Sequence, residues 1–143
     1  MNKQLKQVLT IIALIISAFF AKDYNSKENN TNFKSTNSAS LEQVIRKRSS
    51  GTIVTIEAKV IKHLSDDLVG DKHQKMIVKV GNNTLLLAHN IDIAPRVPVR
   101  EGEFLEIKGE YEWNEKGGLI HWTHKSNNNH PPGWIKYNNK KYH

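Results

Sequence analysis

Between Thr52 and Leu64 the chain carries Ile53, Val54, Ile56, Val60 and Ile61. That density of β-branched side chains suits a pleated, half-buried strand and disfavours a helix. The pattern then recurs. Lys72–Val80 alternates Met76, Val78 and Val80 with Lys75 and Lys79, and Thr84–Asn90, Glu103–Trp113 and Leu119–His124 read as further strands. Gly81-Asn82-Asn83, Arg100-Glu101-Gly102 and Asn114–Gly118 supply turns between them. Pro95 and Pro98 bar an uninterrupted helix over Ile91–Val99. Five strands, the first long and bent near Ala58, with a connecting segment after the third, predict an all-β fold. It is a small Greek-key barrel of the oligonucleotide/oligosaccharide-binding (OB) type. An SH3-like barrel or a small β-sandwich is the next best fit. Leu41–Arg48, with Leu41, Val44 and Ile45 at helical spacing behind Ser40 as N-cap, predicts a short helix before the barrel. The tail from His130 to Tyr137 is expected to be irregular and to pack back through Trp134, Ile135 and Tyr137.

The first 21 residues read as an address. Lys3 and Lys6 precede a 14-residue run, Val8–Ala21, broken only by Thr10 and Ser17. A basic start and an apolar stretch of this length are the layout of a secretory signal, and short for a membrane span. The expectation is export to the periplasm or the medium. Left uncleaved, the segment would tether the protein to the membrane, its one route to a membrane contact. Lys22–Ser40 holds five Asn, four Ser and two Thr, too little apolar surface to offset ordering, and is expected to be a disordered polar linker. Leu41–His143 remains as the barrel domain.

The 143 residues contain no cysteine, which excludes disulfide scaffolds and thiolate metal sites. The formal charge of +7 suggests an anionic partner. Over Leu41–His143, however, 16 Lys and Arg face 12 Asp and Glu, and the charges are interleaved. The sharper signal is where His, Trp and acids gather: His73-Gln74, Ala88–Asp92, Tyr111–Asn114, and His121-Trp122-Thr123-His124 followed by His130. Pairing Val80 with Thr84 would set Lys75 opposite His89 and put His73 and His89 on one face. Alternation separates His121 and Thr123 from Trp122 and His124, so the four groups converge only if the last strand ends before His124.

Imidazoles with a carboxylate suit zinc and other divalent metals, and histidine suits acid–base work near neutrality. The metal candidates are His73, His89, His121, His124 and Asp92, and the catalytic candidates are these with Glu112. Arg96, between two prolines, has a restricted backbone and suits capture of phosphate or carboxylate; its alternative is an ion pair with Asp92 or Glu110. Trp113, Trp122 and Trp134 are candidates for stacking on bases or sugars, with core packing the expected fate of at least two, and Lys75 and Lys79 would meet negative charge.

At these motifs the sequence resembles a bacterial family known as domain of unknown function 3465. The resemblance runs from about Gly51 to Tyr142 through His73-Gln74, Ala88–Arg96, Gly109–Asn114, His121–His124 and His130–Ile135. It implies an exported, one-domain bacterial protein and brings no established activity. Members commonly continue the His-Trp-Thr-His stretch with His-Asp-Pro, where this chain has Lys125-Ser126-Asn127. Three functions fit these readings: an OB-like module binding nucleic acid or another polyanion, a metal-dependent, nuclease-like hydrolase, and an envelope module whose barrel edge meets another protein.

Overall fold

The computed structural model describes residues 38–126 and 130–143. The expected signal segment, and the expected linker as far as residue 37, lie outside the described residues. The elements are α1 (Ser38–Arg46), β1 (Thr52–His63), β2 (His73–Val80), β3 (Asn83–Asn90), β4 (Phe104–Glu112), β5 (Leu119–His121), β6 (Trp134–Tyr137) and β7 (Lys140–Tyr142). The sheet runs β1-β2-β3-β5-β4-β6-β7, and β1 pairs with β4 as well as β2. Strands β1 to β5 therefore close into a five-stranded OB-type barrel, with β3 and β5 parallel and its other neighbouring strands antiparallel.

Closure rests on the length of β1. Its first part, Thr52–Lys59, pairs with β4, and Lys59–His63 pairs with β2. The change of partner is accompanied by a bulge at Ile61, where Val60 faces Val78 and Lys62 faces Ile77. The bend thus falls three residues beyond Ala58. An extra residue on one strand increases the local twist, and twist lets a sheet curl onto itself.

Alternation turns Val54, Ile56, Ala58 and Val60 inward against Met76, Val78, Leu85, Leu87, Leu105, Ile107, Tyr111 and Ile120. Each Val, Leu, Ile or Met among them, fully buried, contributes about 1.5–3 kcal/mol. Three further segments complete this core: Leu41 from α1, Val97 and Val99 from the connecting segment, and Ile135 and Tyr142 from the C-terminal strands.

Two expectations at the ends need correction. The helix begins at Ser38, inside the stretch read as linker, so Ser40 does not cap it. It ends in a left-handed turn, with Arg48 at φ 53° and the Ser49 amide bonded to the Val44 carbonyl at 3.1 Å. The tail is not irregular. β6 adds to β4 and β7 to β6, around Asn138 and Asn139 at φ 49° and 61°. Positive φ at both central residues defines the type I′ hairpin, which asparagine tolerates.

Candidate functional site

The β2–β3 hairpin is one residue tighter than the sequence suggested. Its turn is Gly81-Asn82, with Gly81 at φ 57°, and Val80 faces Asn83. Gln74, rather than Lys75, therefore lies opposite His89, and His73 lies opposite Asn90. His73 and His89 fall on different faces because one residue of register reverses every side chain.

His89 points into the barrel and is completely buried. Its Nε2–H donates to the Pro95 carbonyl at 3.0 Å, leaving Nδ1 to accept from the Thr123 hydroxyl at 2.8 Å. Burial holds its pKa down at about 4, so the ring is neutral. Beside it, the Gln74 amide exchanges two bonds of 2.9 Å with the Val97 backbone. Together His89 and Gln74 pin the Pro95–Val97 stretch across the barrel. With both nitrogens engaged, His89 is no metal ligand in this arrangement.

Two other candidates are tied into loops. Asp92 accepts from the Lys72 amide at 2.7 Å and lies 3.7 Å from its ammonium. Arg96 pairs with Asp66, a partner different from either expected acid.

The remaining candidates gather on the outside of the barrel. β5 stops at His121, and Trp122 turns the chain with φ 52°. The strand ends before His124, as convergence requires, yet His89 and Asp92 stay apart from this cluster. Facing pairs Glu110–His121 and Glu112–Leu119 place Glu110, Glu112 and His121 on the outer face. Extending the Leu86–Leu119 and Leu87–Ile120 register sets Ala88 beside His121, and Ala88 faces Lys75. The outer row is thus Lys75, Ala88, His121, Glu110.

Two glycines make this approach possible. A Cβ on Gly109 would lie 2.4 Å from the His121 carbonyl oxygen, and one on Gly133 would lie 2.0 Å from that of Trp122. The chain leaving β5 and the chain entering β6 can press against β4 only without those atoms.

His121 Nε2 lies 3.7 Å from Glu110 Oε1 and 3.8 Å from Glu112 Oε1, beyond hydrogen-bond reach, and has no other partner. Burial opposes charge on this imidazole, but the two carboxylates outweigh it and raise the pKa. Glu110 is pulled down to about 2, chiefly by His121, with His130 adding to the effect. His130 Nε2 reaches Glu110 Oε2 at 2.6 Å, and its Nδ1 meets the Pro131 carbonyl at 2.8 Å.

Trp122 sits among imidazoles. Its ring stacks on His130 at 4.2 Å with 17° between planes, and His124 and His121 lie tilted at 5.2 and 6.0 Å. His124 Nδ1 donates to the Lys125 carbonyl at 2.8 Å, and the Gly133 amide donates to the His124 carbonyl at 2.9 Å, closing the loop neck. His73 has a buried Nδ1 without a partner, and burial lowers the pKa of both His73 and His124. Trp113, by contrast, packs against the core with Arg48 over its ring at 4.8 Å. It is no open stacking platform.

Glu110 and His130 are the site residues that motif reading undervalued. Glu110 looked like an ion-pair partner for Arg96, and His130 like a loop residue. The usable signal was Glu110-Tyr111-Glu112, two acids at strand period flanking a core tyrosine.

The fold and site together define an OB-type barrel with a carboxylate–imidazole–tryptophan centre on its outer face. Residues 26–143 match a family model described as "Protein of unknown function (DUF3465)", and the chain belongs to that family. The match reaches well upstream of Gly51, through α1. No curated protein matches the chain.

Proposed function

We propose that the protein is an exported OB-like binding module whose ligand docks on the outer face at Trp122, single-stranded nucleic acid being the favoured polyanion. The observation that carries this reading is the Trp122 backbone. A left-handed conformation costs a bulky L-residue about 1–2 kcal/mol, and such strain collects at functional sites. Here it holds an indole out of the core, half-buried and stacked on His130. Bases stack on such rings for about 1–3 kcal/mol each. Lys75 and Lys79, both outward on β2, would supply the positive charge for phosphates.

Fluorescence-anisotropy titration of a labelled oligonucleotide tests this. Trp122→Ala should weaken binding by roughly 5- to 150-fold, the equivalent of one stacked base. Lys75→Ala and Lys79→Ala should each lessen the slope of log affinity against log salt by about 0.7. Unchanged affinity in Trp122→Ala, or binding indifferent to salt, would remove the reading. The metal-dependent hydrolase is the second reading, favoured by the carboxylate pair facing His121. Oligonucleotide cleavage abolished by a chelator would establish it over binding alone.

A further inference from the structure

We infer that Glu110, Glu112 and His121 form a binding site for one divalent transition-metal ion of the zinc class, with His130 as a positioning residue for Glu110. One ligand atom from each of the three lies within 4.8 Å of the others. Bonds of about 2.0–2.2 Å in a tetrahedral site put neighbouring ligand atoms about 3.4 Å apart. The His121–Glu110 and His121–Glu112 separations of 3.7 and 3.8 Å exceed that by only a few tenths of an ångström.

The second observation concerns the imidazole itself. The His121 side chain is nine-tenths buried, and its Nε2 has no hydrogen-bond partner while aiming between two carboxylates. A buried polar atom left unpaired is destabilising, and two ionised carboxylates side by side repel. A cation bonded to all three removes both costs.

The surroundings fit as well. Glu110 offers Oε1 toward His121 and gives Oε2 to His130 at 2.6 Å. Metal-binding groups are commonly oriented in this way by an outer hydrogen bond. Imidazole and carboxylate donors without a thiolate suit zinc, manganese or cobalt better than copper(I). Three protein ligands leave at least one position for water or a ligand oxygen, in the same outer row as Lys75. The site goes beyond the nucleic-acid reading and stands without it. Where both hold, the ion turns a carboxylate pair that would repel a phosphate into a group that attracts one.

The test is equilibrium dialysis and cobalt absorption spectroscopy on the full chain, stripped with chelator and given Zn²⁺ or Co²⁺ alone. One tightly held ion per chain and a visible cobalt band are expected. Glu112→Gln and His121→Asn should each weaken binding at least tenfold, with circular dichroism unchanged. His130→Gln should weaken it by about 10- to 100-fold while keeping the cobalt band, the mark of an orienting role. Absence of a bound ion at micromolar concentration would overturn the inference. So would one retained with undiminished affinity by both Glu112→Gln and Glu110→Gln, or one lost only with His63 or His143. A bound ion without oligonucleotide binding keeps this site and sinks the reading above; oligonucleotide binding without an ion does the reverse.

Discussion

Acid should unfold this barrel through His89. The ring is fully buried and neutral, donating to Pro95 and accepting from Thr123. Its pKa falls from 6.5 to about 4 on folding, because burial penalises the charged form. A group with a depressed folded pKa stabilises fully above its unfolded value. Its contribution is lost as pH falls from 6.5 toward 4, since the unfolded chain takes the proton first. At about 1.4 kcal/mol per pH unit, that interval is worth roughly 3 kcal/mol. This is a large share of the stability of a small domain. Other groups move in the same range. His73 and His124 are lowered and act in the same direction, whereas His121 is raised and stabilises most at low pH. Glu110, held at about 2, acts mainly below pH 4.5. The contribution of His89 is therefore isolated by difference. Urea unfolding at pH 7, 5.5 and 4 should show the wild type losing stability more steeply than His89→Gln. An NMR titration of the wild type supplies the second readout, with the His89 ring showing no protonation above about pH 5. Parallel pH profiles, or a ring that titrates near 6.5, would refute the reasoning.

Two further perturbations probe the loop neck at Trp122 and the β1–β4 register. Gly133→Ala places a methyl against the Trp122 and Lys108 carbonyls, so it should cost about 1–3 kcal/mol in chemical denaturation and shift the Trp122 indole resonance. An unshifted indole would show that the loop neck does not set that ring. Glu57 faces Glu106 across β1 and β4, and burial followed by that repulsion raises its pKa. Glu57→Gln should therefore raise stability at neutral pH by about 0.2–1 kcal/mol, with the gain shrinking in acid; a loss would contradict the register.

The barrel was legible in the sequence because its inward positions obey a strict period of two, as in Val54, Ile56, Ala58 and Val60. Register was less so. The choice between a two- and a three-residue turn at Gly81–Asn83 is a matter of backbone torsions, and it alone reversed the relation of His73 to His89. The C-terminal hairpin escaped notice because its turn is Asn138-Asn139, a pair that reads as polar tail until strands flank it. Within the site, His121, His124 and Trp122 stood out by chemistry. Glu110 did not, since its significance depends on which residue of β5 lies opposite, and β5 is three residues long. An ion pair for Arg96 and core packing for Trp113 were both open in the sequence, but the partners, Asp66 and Arg48, are long-range contacts that no local pattern announces.

The proposed ligand face is the outer surface around Trp122 and His130. An NMR titration of the isotope-labelled full chain with a single-stranded oligonucleotide at low salt measures this residue by residue. Saturable shifts should concentrate on the Trp122 indole, the rings of His121, His124 and His130, and the amides flanking Lys75. Shifts absent at millimolar ligand, or confined to the Ser65–Asp71 loop and the C-terminal hairpin, would contradict it.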